Sequence, residues 1–200
     1  MPVKSIEIKS TNPYAGGQVF GDAGAYEQLD GVVHFVADPK HSANETIADI
    51  ELAPRNADGL VEFYSDFRIL RPVDAKLGNR RILMDVPNRG KQLAIRNINS
   101  APDQSPDAPI DPGNGFLMRQ GYTVVWCAWQ HDVPDVPGML RVNIPDAVIS
   151  GGPVSGEIVV TFQLNSPSQV EFLSSRNHQA YKASDVNDQS AVMTVQDHED

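Results

Sequence analysis

Hydrophobic and polar positions alternate along the first third of the chain and cluster in the middle third. Residues 5–9 alternate, Gly31–Val36 form an apolar run, and Asp38-Pro39 closes it. Leu60–Arg71 is the most regular stretch. Val61, Phe63, Phe67 and Ile69 fall on one face and Glu62, Asp66 and Arg68 on the other, as a strand with one wet side requires. The pattern predicts an antiparallel meander over residues 1 to about 72, with glycines 16, 17, 21 and 24 serving turns, since they lack dinucleotide-fingerprint spacing and a preceding strand.

Residues 81–129 change character. Ile82–Val86 and Thr123–Ala128 are apolar at successive positions, which predicts strands covered on both faces and joined as consecutive parallel strands of an α/β sheet. The proline- and aspartate-rich stretch from Ile98 to Gly113 reads as a surface loop. After it, Asn114 can cap a helix of about two turns that Gly121 ends in a left-handed cap. Past Asp132, prolines 134, 137, 145 and 153 interrupt the chain. Glu157–Leu164 then resumes alternation, with Ile158, Val160, Phe162 and Leu164 on one face, and Ser190–Val195 is a further strand candidate. The expected organisation is an α/β fold over residues 1–132, its sheet preceded by the antiparallel meander, and a β-rich insertion with an acidic tail over 133–200.

Composition narrows the chemistry. Two hundred residues with 40% hydrophobic and 21% charged side chains describe an ordinary globular domain. The formal charge of −10 opposes phosphate backbones and anionic lipid, so neither nucleic acid nor membrane is expected as a partner. Part of that charge lies in a tail from Asp185 to Asp200, read as solvated. The single Cys127 excludes an intrachain disulfide and reads as a buried, inert thiol. No signal-peptide pattern opens the chain and no run of eighteen apolar residues occurs, so the expected location is cytoplasmic, and the sequon Asn44-Glu45-Thr46 is an accident of composition.

Two turns carry candidate chemistry. Pro87 ends the ladder after Val86, so Asn88-Arg89-Gly90 projects from the C-terminal edge of a strand with backbone N–H groups that could cradle an anion, or form a plain Asx-type turn. In α/β-hydrolases one oxyanion donor comes from the loop after the third strand. Gln130-His131-Asp132 follows the next strand at the same edge. His131 is a weak candidate base there, and a surface histidine is the plainer alternative. The nucleophile elbow G-x-S-x-G is missing: Ser150–Gly156 has the wrong spacing and suits a hairpin. Phosphate-loop, zinc and calcium signatures are also missing, so no cofactor and no metal is expected.

The chain resembles a poorly characterised bacterial family of α/β-hydrolase domain-containing proteins. The resemblance rests on Tyr26-Glu27 through Gly31 with His34-Phe35, on Leu52–Val61, on Asp66-Phe67 with Leu70-Arg71-Pro72, on Asp85–Gly90, and on Gly113–Leu117 through Trp129-Gln130. It covers most of residues 1–132, and residues 133–200 are similar to the β-rich insertion that follows in the family. It implies an esterase-like or amidase-like serine hydrolase, with the third strand at Ile82–Val86, the fourth at Tyr122–Trp129, and Asn88, Arg89 and Gly90 as the oxyanion loop. Family members are longer, and their nucleophile, acid and triad histidine lie in sequence outside these 200 residues, so the chain alone is expected to be inactive, its small ester or amide substrate being met by the full-length form. In that family's sheet the third strand lies between the fourth and the fifth. One side of Ile82–Val86 is therefore expected to be open, inviting low solubility, partial folding, self-association or a complementing chain that supplies the triad. The alternative from another class is a non-catalytic β-rich binding module, with Tyr14, Tyr26 and Tyr64 as an exposed platform for a sugar or peptide.

Overall fold

Apolar alternation over the first 72 residues builds three long antiparallel strands: β1 (Val3–Pro13), β2 (Tyr26–Ala37) and β3 (Val61–Pro72). The computed structural model describes residues 2–149, 152–164, 166–174 and 180–194. β2 and β3 pair without interruption from Tyr26 opposite Pro72 to Ala37 opposite Val61. The chain continues into β4 (Ile82–Asp85), two short helices, α1 (Ala94–Ile98) and α2 (Phe116–Arg119), and β5 (Thr123–Cys127). β4 and β5 are parallel, as the sequence predicts, and β5 lies antiparallel to β3. The sheet order is β1-β2-β3-β5-β4, with a two-residue strand, β6 (Val142–Asn143), beside the other end of β3. The result is a mixed, strand-rich sheet with few helices.

Packing corrects three expectations. The supposedly wet side of β3 carries Leu70, fully buried, and joins Tyr26, Val124, Trp126 and Met118 in the main core. Arg68 tolerates that side because its Nε donates to Asp30 at 2.5 Å and its Nη1 to Gln92 at 2.9 Å, so its charge is partnered where water is scarce. β4 is not covered on both faces: Ile82 is 69% and Met84 51% exposed, because α1 and α2 pack with Leu83 on one side and, among the described residues, no helix covers the other. The helix after Asn114 has one turn, not two. Asn114 Oδ1 accepts from Phe116 N, and Gly121, with φ of +73°, ends it in the expected left-handed conformation.

Chain contacts divide the protein into Met1–Val154 and Ser155–Asp200. β6 returns to β3, so residues just past 132 continue the first unit instead of opening an insertion. That unit also holds a small antiparallel ladder of β7 (Val148–Ile149) and β8 (Gly152–Pro153), which pairs Gly152 and Pro153 of the glycine-serine cluster with the strand before it; Ser150 and Gly151 lie outside the described residues. In the second unit no helix or strand occurs among the described residues. Glu157–Leu164 alternates in sequence but remains unpaired, with Val159 96% exposed, since alternation yields a strand only where a neighbour supplies ladder partners. Residues 190–194 likewise form no strand, and Val195 with the end of the acidic tail lies outside the described residues.

Candidate functional site

The two turns singled out in the sequence meet at the C-terminal edge of the parallel pair. Arg89 N donates to Gln130 Oε1 at 2.7 Å, Trp129 Nε1 donates to Pro87 O at 2.7 Å, and the Arg89 guanidinium holds Asp132 through Nη1 to Oδ1 at 2.6 Å and Nη2 to the carbonyl at 2.8 Å. Parallel strands emit their following loops at the same edge, which is why residues forty positions apart become neighbours. Charge-assisted bonds to a half-buried guanidinium make this clasp firmer than a solvent-exposed pair.

Asn88–Lys91 form a tight turn. Asn88 and Lys91 exchange backbone bonds at 3.2 and 3.1 Å, and the two central residues have positive φ, +53° at Arg89 and +78° at Gly90. Glycine is required at the second position: a Cβ there would stand 2.6 Å from Val133 Cγ1. Of the three candidate oxyanion donors, Asn88 N–H is given to Lys91 O and Arg89 N–H to Gln130. Gly90 N–H makes no hydrogen bond among the described residues, and the residue is buried beneath Val133, Met139 and Leu140.

His131 does not assemble into a triad. Its Nδ1 lies 3.2 Å from Val142 O and 3.5 Å from Ile144 N, so the backbone around β6 engages that nitrogen whichever tautomer is present. No hydroxyl or thiol bonds to the ring among the described residues. Cys127 is half-buried, with Sγ 3.4 Å from Ser65 Oγ, whose own proton goes to Ala128 O at 2.7 Å. Among the described residues no group of three or more His, Cys, Asp and Glu side chains is placed to hold a metal, and no helix is long and apolar enough to cross a membrane. Asn44 is buried and donates its amide to Asp38 O at 2.8 Å, which removes it from any glycosylating enzyme in the folded chain.

Asp85 is the residue that sequence reasoning missed. Its Oδ2 accepts from Trp126 Nε1 at 2.6 Å, Leu93 N at 3.0 Å and Ala94 N at 2.8 Å, so one carboxylate oxygen ties strand β4, the core indole and the first turn of α1. The available signal was an acid ending an apolar strand two residues before a proline. Beside this junction opens a cavity of about 200 Å³ lined by Lys91, Gln92, Arg96, Gln104 and Asp111. A second, of about 360 Å³, lies against the meander between Lys4, His34, Glu62, Tyr64 and Asn143.

Of the three tyrosines proposed as a platform, Tyr14 and Tyr26 are buried and only Tyr64 reaches solvent. The Tyr26 hydroxyl sits 3.0 Å from both Met118 O and Tyr122 O, and burial pushes its pKa up to about 12. Tyr14 OH has no hydrogen-bond partner among the described residues, and burial followed by the charge of Asp111 raises its pKa further. In comparisons with known proteins, no family model matches the chain, and neither a curated protein nor a solved structure matches it at a significant level.

Proposed function

We propose that this chain is the N-terminal portion of a serine hydrolase scaffold of the α/β-hydrolase type, acting on small esters or amides once a nucleophile, an acid and a histidine are supplied from outside these 200 residues. The observation that carries the reading is the parallel pair β4 and β5, with β4 paired on one side only and both following loops clasped at one edge. Within that reading Gly90 N–H is the oxyanion donor left over after Asn88 and Arg89 have used theirs, and a donor of this kind contributes about 3 kcal/mol to an acyl-transfer transition state. The loop as it stands covers Gly90 with residues 133–140, so a working oxyanion site requires that segment to move aside.

The test is labelling of the polypeptide from its native source with a fluorophosphonate, which marks an activated serine, alongside hydrolysis of p-nitrophenyl esters. Label on a serine outside residues 1–200 together with ester turnover supports the proposal. A folded native preparation that shows neither removes it. The rival binding-module reading keeps one observation in its favour, the cavity beside Tyr64 and His34, whose rings lie 5.9 Å apart. It predicts a thermal shift with a saccharide or peptide ligand and no serine labelling.

A further inference from the structure

The proline- and aspartate-rich residues 100–112 fold into a compact Ω-loop that makes one wall of the cavity beside α1. Asn99, fully buried, ties the neck of that loop: its Nδ2 donates to Pro112 O at 2.9 Å and its carbonyl accepts from Asn114 N at 2.8 Å. Ser100 and Gly113, on either side of the neck, have left-handed φ of +53° and +55°. The tip rests on Gly138, where a Cβ would collide with Pro106 O. Between neck and tip the hydrogen bonds stay inside the loop, Ala108 N to Ser105 O at 3.0 Å and Asp111 N to Gln104 Oε1 at 3.0 Å. Among the described residues its one polar contact with the opposite wall is the Asp103 carboxylate, 3.4 Å from Arg96 Nη1.

Charge divides the two walls. The loop carries Asp103, Asp107 and Asp111 and no lysine or arginine, whereas the opposite wall presents Arg68, Lys91 and Arg96. Arg68 is spent on Asp30 and Gln92, which fixes that wall in place. Lys91 makes no ion pair among the described residues, and Arg96 has only Asp103, an exposed pair that adds little to stability and is readily exchanged. Leu93, Ile95 and Ile110 give the same cavity an apolar side. We propose that the cavity binds a small aliphatic carboxylate, whose charged end meets Arg96 and Lys91 in place of the Asp103 carboxylate while residues 100–112 swing as a lid on Ser100 and Gly113. A carboxylate is favoured over other anions because the group it displaces is one, and a guanidinium grips it through two parallel N–H bonds. The volume of about 200 Å³ lies below the roughly 300–1,000 Å³ of sites for drug-sized ligands, so the aliphatic part is short. Both walls are drawn from residues 68–138, and the inference requires no hydrolytic activity.

The experiment is calorimetric titration, with thermal shift beside it, of the polypeptide at its native length. Sodium hexanoate is the ligand, and hexanol and sodium phosphate separate the contributions of tail and charge. Hexanoate is expected to form a one-to-one complex about tenfold tighter than either of the others, and Lys91→Met should weaken it by about the same factor. Asp103→Asn, which takes the lid's own carboxylate away from Arg96, should tighten hexanoate binding several-fold. Asp107→Asn makes the same charge change on the lid, but Asp107 accepts from Ser105 and not from Arg96, so binding should be unaltered. Lys91, Asp103 and Asp107 are all exposed, so the variants keep the fold, which circular dichroism checks. No hexanoate binding by either method, phosphate or hexanol binding as tightly, or equal effects of the two aspartate variants would overturn the proposal.

Discussion

The two edges of the sheet are built on opposite plans. β1 carries Lys4, Glu7 and Lys9, breaks register between Val3 and Ser5 and again between Ile8 and Ser10, and closes at Pro13. Charges, bulges and a terminal proline are the devices by which natural sheets refuse further strands. β4 is four residues long, regular, and apolar up to Asp85, whose carboxylate is committed inward to Leu93, Ala94 and Trp126. Exposed apolar side chains occur on both edges, Ile6 at 64% and Ile82 at 69%, so hydrophobicity alone does not separate them. What separates them is whether the backbone groups can be reached in register, and this teaches that the open side belongs to the parallel portion of the fold and not to the meander.

The largest effect is expected where the unguarded edge is anchored. Asp85→Ala strips an acceptor from two backbone N–H groups and a buried indole, and should cost about 3 kcal/mol or more in urea unfolding. Asp85→Asn, which keeps one acceptor oxygen in place, should lose about half as much. If Asp85→Ala costs less than Asn12→Ala on the guarded edge, the anchoring role assigned to Asp85 is wrong.

A smaller effect tests the joint between the meander and the parallel pair. Tyr26 opens β2 and reaches the carbonyls of Met118 and Tyr122, whereas Tyr14 presents its hydroxyl to no partner among the described residues. Tyr26→Phe should destabilise by about 1–2 kcal/mol, and Tyr14→Phe should be neutral within about 0.5 kcal/mol. Both hydroxyls are harder to ionise folded than unfolded, so their contribution is intact below about pH 10 and is lost as the pH rises toward and through about 12, where the unfolded chain has already released its protons. Alkaline denaturation followed by circular dichroism should therefore begin near pH 10 and be blunted in Tyr26→Phe. A pH profile flat to 12 would contradict this.

The smallest effect on stability, though not on association, belongs to the guarded edge. Replacing Lys4, Glu7 and Lys9 with Thr should leave the melting temperature within a few degrees while adding self-associated species in sedimentation. Lys4 contributes through an exposed ion pair with Glu62, and such a pair is worth little to the fold. Unchanged association would mean that the bulges, not the charges, protect β1.

Much of this architecture was legible in the residues. Alternation over Leu60–Arg71 located β3 to within a residue or two, the apolar runs located β4 and β5, and Gly121 marked the end of α2. The faces were less legible. Glu62, Asp66 and Arg68 read as one wet side, yet Leu70 on that side is buried and Arg68 is held by Asp30, because a strand near the middle of a sheet is covered where helices happen to lie. Glu157–Leu164 shows the reverse case, a strand-like pattern that no neighbour completes. At the candidate site, Asn88–Gly90 and Gln130–Asp132 were visible as separate turns; their clasp was not, since Arg89 and Asp132 stand forty-three positions apart.

The sequence by itself determined the local alphabet of this protein: strand periods, the proline and glycine stops, the spacing of the serines within these 200 residues, and a formal charge of −10. Those follow from backbone sterics and composition, which act over a few residues. Only the tertiary structure decided that Tyr14 and Tyr26 are core residues, that Asp85 is an anchor, that two of three candidate oxyanion donors are already in use, and that the outward side of β4 has no strand beside it among the described residues. Each of these depends on which distant segment supplies the partner, and hydrogen bonding and burial are settled between segments and not within them.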